Sequence, residues 1–188
     1  TGGKTFNYVH DIFEKAATDF HASTEGHNDE LLPYHKTTEF GSDYYDVDQL
    51  APHMRLGLKR WGDWLTDTVG YQAYRFDLTQ RIEPWYIWEW MHYGAMRGSF
   101  GVVEYWALAD GRELQEWVDL TGHSVAVFDW NLQKMLKDMC ESNGSFDMKT
   151  LDHPSLLGLE PNYTVTFVDS HDTYSPMKTL NELGILQD

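Results

Sequence analysis

Residues 100–129 read FGVVEYWALADGRELQEWVDLTGHSVAVFD and hold two strand-like segments on either side of a helical one. Phe100–Val103 and Ser124–Phe128 are rich in β-branched and aromatic side chains, which favours strands. Gly111–Leu120, between them, carries apolar residues at helical spacing. A strand, a helix and a second strand in this order predict parallel strands joined by a helical crossover.

The same alternation continues on both sides of this stretch, mainly from residue 51 onward. The further predicted elements are helices Pro52–Leu65, Glu83–Met96 and Asn131–Glu141, strands Tyr71–Phe76 and Tyr163–Val168, and a helical piece at Met148–Leu157. An early helix is predicted over Asn7–Phe20 and a last one after Pro176, while most of residues 1–50 otherwise reads as loop or a small sub-domain. Four strands that alternate with helices predict the α/β class with a parallel sheet.

The composition excludes several classes of protein. With 41% hydrophobic and 15% aromatic residues, the 188-residue chain has the composition of a folded domain rather than of a disordered segment. Acidic residues outnumber basic ones 30 to 14, and the net charge of −16 argues against nucleic acid and anionic membranes as partners. Cys140 is the only cysteine, which excludes an internal disulfide and a cysteine metal site.

The ends of the sequence give a further expectation. No apolar run is long enough to span a membrane, and no signal peptide is visible. The sequence begins at Thr1 rather than at a methionine, so we expect either that a leader has been removed or that the sequence is a trimmed piece of a longer protein. Secreted and cytoplasmic locations both stay open.

Each predicted strand is followed by a carboxylate: Asp77, Glu104, Asp129 and Asp169. The carboxyl ends of parallel strands meet at one edge of the sheet, where ligands bind in α/β folds. Four negative charges at one edge repel one another, so a purely structural reason for them is hard to supply. The pattern therefore predicts a functional site at this edge. The simpler interpretations are that Asp77 caps the turn after its strand and that Glu104 is a solvated strand-end residue followed by core aromatics.

Two of these carboxylates suit different chemical roles. Asp77 in YRFD shares a strand face with Arg75, because residues two apart on a strand point to the same side. A neighbouring Arg favours the ionised carboxylate, which a nucleophile requires. Glu104 in VVEYW is followed by two large aromatic residues, and desolvation in such a setting favours the protonated carboxyl of a general acid. One ionised and one protonated carboxyl about 5–5.5 Å apart are what a retaining glycosidase uses.

The last predicted strand leads into a second polar cluster, within TVTFVDSHDTYSP at residues 164–176. Ser170, His171 and Asp172 are the residue types of a hydrolase triad, although neighbours in the chain do not normally point at one another as a triad requires. Asp169, His171 and Asp172 are also of the types that ligate metals, although no second cluster at ligand spacing completes such a site. From the residues alone, these alternatives stay open beside a third carboxylate for glycoside chemistry.

Three of these stretches together resemble the α-amylase family, glycoside hydrolase family thirteen. YRFD (74–77) is similar to the family's fourth-strand motif, VVEYW (102–106) to its fifth, and FVDSHDT (167–173) to its seventh, in which Asn usually stands where this chain has Ser170. Their order and spacing agree with the family, and the resemblance covers about residues 41–173, most closely to the liquefying bacterial α-amylases. It implies a partial (β/α)8 TIM barrel over residues 51–188, after a loop-rich segment at 1–50 that resembles the end of the family's inserted domain.

The resemblance also implies roles for the residues of the motifs. By position, Asp77 becomes the nucleophile, Glu104 the general acid/base, and Asp172 the third carboxylate, which stabilises an oxocarbenium-like transition state. Arg75 and His171 become contacts of the sugar at the point of cleavage.

Further residues are implied at the edges of this site. The additional predicted sugar contacts are Tyr105 and Trp106, and, at acceptor subsites where the family commonly has Lys-His, Gln80 and Arg81. Asp43 and Asp46, in DYYDVD, resemble the aspartates that bind the family's structural calcium, which makes Ca²⁺ the predicted cofactor.

The chain is too short to form the family's complete barrel. A full (β/α)8 barrel takes ~250 residues, and the four predicted strands match only the family's fourth to seventh. We therefore expect part of a longer amylase, or a half barrel that pairs with another chain, either as a homo-oligomer or with the missing half of the barrel, because unpaired sheet edges promote association. The implied function is retaining, endo-acting hydrolysis of α-1,4-glucosidic bonds in starch or related α-glucans, including maltooligosaccharides. The alternatives are an inactive α-glucan-binding fragment and an α-glucoside transglycosylase.

Overall fold

The computed structural model describes residues 47, 49–152 and 154–172. The predicted helix Asn7–Phe20, the helix after Pro176, and the predicted calcium ligands Asp43 and Asp46 lie outside these residues. Within them the chain divides into two compact units, the first with residues 49–72 and 89–98 and the second with residues 73–88 and those from 99 onward. No helix in the described part of the chain is both long and apolar enough to cross a membrane.

A four-stranded parallel sheet forms the centre of the second unit. Its strands are β1 (Ala73–Phe76), β2 (Phe100–Val103), β3 (Ala126–Phe128) and β4 (Thr164–Val165). They lie side by side in the order of the chain, and each pairs with the next in parallel register. Consecutive order without a reversal is the arrangement of neighbouring strands in a (β/α)8 barrel, whereas doubly wound sheets reverse direction at a switch point. The predicted fold class, a partial barrel of about four βα units, is confirmed.

Helices alternate with these strands along the chain. They are α1 (Pro52–Trp64), α2 (Pro84–Met91), α3 (Gly111–Leu120), α4 (Trp130–Glu141) and α5 (Leu156–Leu159), and the division between the two units falls within α2. Helices α3 and α4 begin at N-cap aspartates, Asp110 and Asp129, whose side chains accept hydrogen bonds from the backbone N–H groups of Arg112 and Leu132. Such caps satisfy donors that the first turn of a helix leaves open.

Three predicted elements differ most from the structure, and strands β1 and β3 are each two residues shorter than predicted. The helix expected at Glu83–Met96 ends at Met91, because Tyr93 is extended and Gly94 takes a positive φ of 43°; only a 3-10 turn, Gly94–Met96, follows. The helical piece expected at Met148–Leu157 is a 3-10 turn, Met148–Asp152, and the separate short helix α5, because Pro154 interrupts helical hydrogen bonding. The strand expected at Tyr163–Val168 pairs over Thr164–Val165 alone, because the neighbouring strand β3 is only three residues long.

The core of the second unit joins β2 and β3 to helix α3. Its fully buried side chains include Val103 and Val127 from the strands and Leu114, Trp117 and Val118 from the helix. At the start of α3, a Cβ added to Gly111 would lie 2.6 Å from the carbonyl oxygen of Pro154, so only glycine allows this close approach. The packing fixes the strand ends that carry the predicted site.

The first unit is built around α1. Its Gly62 faces Trp90 and Met96 so closely that an added Cβ would lie 2.5 Å from the Trp90 ring. Arg55 and Lys59, one turn apart on the helix, both form ion pairs with Glu89. A π-helical stretch, Leu65–Val69, continues α1 and ends at Gly70.

Candidate active site

The register of β1 and β2 brings two of the predicted catalytic carboxylates together. Phe76 is paired with Val103, so Asp77 and Glu104, the next residue on each strand, leave the sheet side by side at its carboxyl edge. The backbone N–H of Glu104 still donates to the carbonyl of Phe76 at 2.9 Å, which extends the ladder by one bond and fixes the position of the Glu104 backbone. The two residues lie far apart in sequence and become neighbours through strand pairing alone.

Arg75 joins these two carboxylates with the two arms of its guanidinium group. Its Nη1 lies 2.8 Å from Asp77 Oδ1, and its Nη2 lies 2.9 Å from Glu104 Oε2. The planar fork of Arg suits such paired recognition. The side chains differ in exposure, because Glu104 is 5% exposed while Asp77 is 71% exposed. The predicted strand face shared by Arg75 and Asp77 is present, and Arg75 also reaches the neighbouring strand.

The turn after β1 holds Glu104 from the other side. Leu78 has a positive φ of 45°, a left-handed conformation that is uncommon for a residue other than glycine. This conformation directs the Leu78 N–H to Glu104 Oε2 at 3.2 Å. The N–H and the hydroxyl of Thr79 both donate to the Glu104 carbonyl, at 2.9 and 2.8 Å. A strained backbone residue beside two acidic groups is typical of functional sites.

Burial raises the pKa of Glu104 above its ordinary value of 4.5, because the charged form loses its hydration. The N–H of Leu78 opposes this rise by donating a hydrogen bond to the carboxylate, and the charge of Arg75 opposes it too. Asp77 adds to the rise, both through a hydrogen bond between the two carboxyl groups and through its negative charge. The direction of this pKa shift is the one that the sequence predicts for Glu104 as a general acid.

Replacing Arg75 with Met should raise the pKa of Glu104 further, because a nearby positive charge that stabilises the carboxylate is lost. The midpoint can be followed by NMR titration of ¹³C-labelled glutamate side chains, with the Glu104→Gln variant used to assign the signal. Arg75→Lys keeps the charge without the two-armed geometry and should show a smaller rise. A midpoint in Arg75→Met equal to or below that of the unmodified chain would contradict this electrostatic account.

The third predicted carboxylate, Asp172, lies beyond β4. Its Oδ2 is 3.1 Å from His171 Nε2, and its backbone N–H donates to the hydroxyl of Ser170 at 3.3 Å. Among the described residues, no hydrogen bond or ion pair joins Asp172 to Asp77 or Glu104. The structure thus assembles Arg75 and the first two carboxylates, and it holds His171 and Asp172 as a separate exposed pair.

The remaining predicted sugar contacts occupy different environments. Tyr105 is 4% exposed, with its ring against Trp117 and its hydroxyl donating to Glu113. Trp106 is half-buried and stacks on Trp130, with ring centroids 4.1 Å apart. The sugar contact predicted for each of the two residues stays a prediction, and partial exposure favours it more for Trp106.

The predicted acceptor-subsite residues lie in the short 3-10 turn Thr79–Arg81, which directly follows the strained residue Leu78. Gln80 is buried, and its side-chain oxygen finds no hydrogen-bond partner within the described residues. The acceptor roles of Gln80 and Arg81 stay predictions.

The other two strand-end carboxylates differ in kind. Asp129 is fully buried: its Oδ1 caps helix α4, and its Oδ2 accepts the Leu157 N–H at 2.9 Å. Asp129 is therefore a structural cap, and it does not join Asp77 and Glu104 in the candidate site. Asp169 is exposed and lies four residues past the end of β4, so it does not directly follow the paired strand.

Comparison with known proteins points to the same family as the sequence motifs do. No protein-family model matches the chain. An α-amylase of Geobacillus stearothermophilus is 31% identical over 160 residues, which is 84% of this chain and 27% of that protein. The glucan 1,4-α-maltohexaosidase of Bacillus sp. (strain 707) is 28% identical over 84% of the chain and 29% of its own length. An α-amylase of Bacillus licheniformis is 29% identical over 86% of the chain and 30% of its length.

This chain is related to the α-amylase family. It spans less than a third of the length of these α-amylase relatives. The family relationship also agrees with a four-stranded section of a larger parallel barrel. The role of each site residue stays a prediction, as does the binding of calcium by Asp43 and Asp46.

Sequence reasoning missed two parts of this candidate site. The backbone N–H of Leu78 and both donors of Thr79 hold Glu104, yet neither residue was predicted to contribute. A leucine does not predict a positive φ, because glycine and asparagine are the residues that commonly adopt this conformation. The nearest signal was the chemistry around it, an Arg-x-Asp at a strand end with a partner Glu on the next strand.

Proposed function

We propose that this chain carries the central catalytic residues of a retaining α-glucan hydrolase. The observation that supports this most is the group formed by Arg75, Asp77 and Glu104, in which one guanidinium contacts two carboxyl groups of contrasting environment. A double-displacement mechanism requires one ionised and one protonated carboxyl, and exposed Asp77 and buried Glu104 match that requirement.

In the proposed mechanism, Asp77 attacks the anomeric carbon while Glu104 protonates the departing glycosidic oxygen. Oε2 of Glu104 accepts hydrogen bonds from Arg75 and Leu78, so the transferable proton belongs on Oε1. Glu104 then removes a proton from water, which releases the sugar from Asp77 with its α configuration retained.

In the proposed mechanism, the substrate binds between the carboxyl groups of Asp77 and Glu104. In the free chain Arg75 contacts both the Asp77 and the Glu104 carboxyl groups, and a retaining enzyme holds two such groups roughly 5–5.5 Å apart across the scissile bond. Asp77 is the exposed and movable partner, whereas Glu104 is fixed by the turn at Leu78 and Thr79. A sugar that enters between them places its anomeric carbon beside Asp77, which acts as the nucleophile.

The proposed substrates are starch, related α-glucans and maltooligosaccharides, cleaved internally at α-1,4 bonds. The names of the relatives support this class, since they include α-amylases and a glucan 1,4-α-maltohexaosidase. In this proposal His171 and Trp106 contact the sugar, and Asp172 stabilises the positive charge of the transition state.

A second candidate is an α-glucan-binding fragment without turnover. It is favoured by the separate position of the His171–Asp172 pair and by the short span of the chain relative to its relatives. Transglycosylation between α-glucosides is a variant of the first proposal, in which a sugar hydroxyl replaces water in the second step.

These candidates are separated by incubating the chain with maltoheptaose and following the products by mass spectrometry and by ¹H NMR of the anomeric protons. Hydrolysis should give shorter oligosaccharides whose new reducing ends appear first as the α anomer. Longer products identify transglycosylation. Binding by calorimetry without any product supports the second candidate, and β anomers as first products would contradict the retaining mechanism.

A further inference from the structure

Three metal-ligating side chains meet at the opposite edge of the sheet from Asp77 and Glu104. Asp119 lies in the last turn of α3, His123 in the loop before β3, and Glu160 directly after α5, before β4. His123 Nε2 is 3.4 Å from Asp119 Oδ1 and 3.9 Å from Glu160 Oε2, and the three ligand atoms lie within 4.8 Å of one another. The cluster therefore belongs to no part of the proposed catalytic site.

We propose that Asp119, His123 and Glu160 bind a divalent transition-metal ion of the zinc class. Zinc binds imidazole nitrogen and carboxylate oxygen at about 2.0–2.2 Å, so two ligand atoms of a tetrahedral site lie about 3.4 Å apart. The distances from His123 Nε2 to the two carboxylates are close to that separation. Small side-chain movements bring all three atoms onto one ion, and water completes the coordination.

The electrostatics of the cluster favour a cation at this point. Two carboxylates face one imidazole nitrogen, an arrangement that is repulsive when the nitrogen carries a lone pair and nothing lies between them. A metal ion bound between the three ligand atoms removes this repulsion.

Neighbouring side chains already orient two of the three ligands. Gln115 Nε2 donates to Glu160 Oε1 at 3.0 Å, which leaves Oε2 directed toward His123. The His123 ring rests edge-on against Tyr163, with ring centroids 4.8 Å apart. Outer partners of this kind fix ligand geometry in metal sites.

The ligand set also selects among metals. Calcium takes six to eight oxygen ligands, whereas an imidazole with two carboxylates suits zinc and its neighbours in the first transition row. The proposed site is therefore distinct from the calcium site predicted at Asp43 and Asp46, and it predicts selectivity for zinc over calcium.

The test is a titration of the metal-free chain with Zn²⁺ against a chromophoric zinc indicator near neutral pH. We expect one strong equivalent of zinc to bind, and an excess of Ca²⁺ to leave it in place. His123→Ala should weaken that equivalent by at least about 10-fold, as should Glu160→Gln, which keeps the shape of the side chain. The matched control is His92→Ala, which removes another exposed histidine and should change nothing.

Cobalt provides a spectroscopic readout of the same site. Co²⁺ bound by His123 should give visible absorption bands that disappear on addition of Zn²⁺ and are absent in His123→Ala. Circular dichroism of each variant verifies that the fold is kept. Zinc affinity that is equal in the unmodified chain, His123→Ala and Glu160→Gln would overturn the proposal, as would the absence of any saturable zinc binding.

Discussion

Replacing Asp77 with Asn should lower the rate of α-glucan hydrolysis by on the order of 10⁴-fold or more, because the proposed nucleophile is lost. The amide occupies the same volume and still accepts a hydrogen bond from Arg75. Since the Asp77 side chain is largely exposed, we expect the fold to tolerate the change. The measurement is kcat on maltoheptaose, together with the far-ultraviolet circular dichroism of the variant.

The matched control for Asp77→Asn is Asp169→Asn, which removes the same charge from another exposed position near a strand end. Its kcat should stay within a few-fold of the unmodified chain, since no role in the chemistry is proposed for Asp169. Activity in Asp77→Asn equal to that of Asp169→Asn would remove Asp77 from the role of nucleophile.

Replacing Glu104 with Ala should lower kcat on maltoheptaose by roughly 10²–10⁴-fold, the usual contribution of a general acid or base. The loss should depend on the leaving group. An α-maltosyl fluoride needs no protonation to depart, so formation of the glycosyl-enzyme should remain fast and its hydrolysis should become limiting. The ratio of rates on the fluoride and on maltoheptaose should therefore rise strongly in this variant.

Azide distinguishes the two carboxylates. In Glu104→Ala it can attack the glycosyl-enzyme where water normally enters, and the product should be an α-glycosyl azide. In an Asp77→Ala variant azide replaces the nucleophile itself, and the product should be the β anomer. The same anomer from both variants, or no acceleration by azide in either, would contradict the assignment of distinct roles.

The burial of Glu104 should also make the free energy of unfolding depend on pH. Its pKa is raised in the folded chain, so the favourable contribution of its protonated form is complete below the ordinary value of 4.5 and is lost as the pH rises through the raised value. Glutamine cannot ionise, so the stability of Glu104→Gln relative to the unmodified chain should increase over that window. Urea unfolding at a series of pH values measures the difference.

The parts of the fold that could be predicted are those whose signals are local. Strand β2 and helix α3 have the predicted bounds, because β-branched residues, helical spacing and the Asp110 cap all lie within the segments themselves. Strand β4 was predicted too long, since its extent depends on the three residues that β3 offers for pairing. Propensity describes a segment, whereas pairing depends on a partner elsewhere in the chain.

In the candidate site, too, the features set by nearby residues could be predicted, whereas those set by strand pairing could not. The i, i+2 spacing of Arg75 and Asp77 gave their contact directly, and the aromatic setting of Glu104 gave the direction of its pKa. The second bond of Arg75, to Glu104, depends on strand register. Likewise, Asp119 and His123 stand at helical i, i+4 spacing, but nothing in the sequence indicated that Glu160 joins them.

The most direct test of the account is the identity of the residue that becomes bonded to sugar. A 5-fluoroglycosyl fluoride of the maltooligosaccharide type slows the breakdown of the intermediate more than its formation, and the Glu104→Gln variant slows breakdown further. Incubation of that variant with the reagent, followed by proteolysis and tandem mass spectrometry, should find one glycosyl group on the side chain of Asp77. A glycosyl group on any other residue, or turnover of the reagent by the chain without a covalent intermediate, would contradict the proposed retaining mechanism.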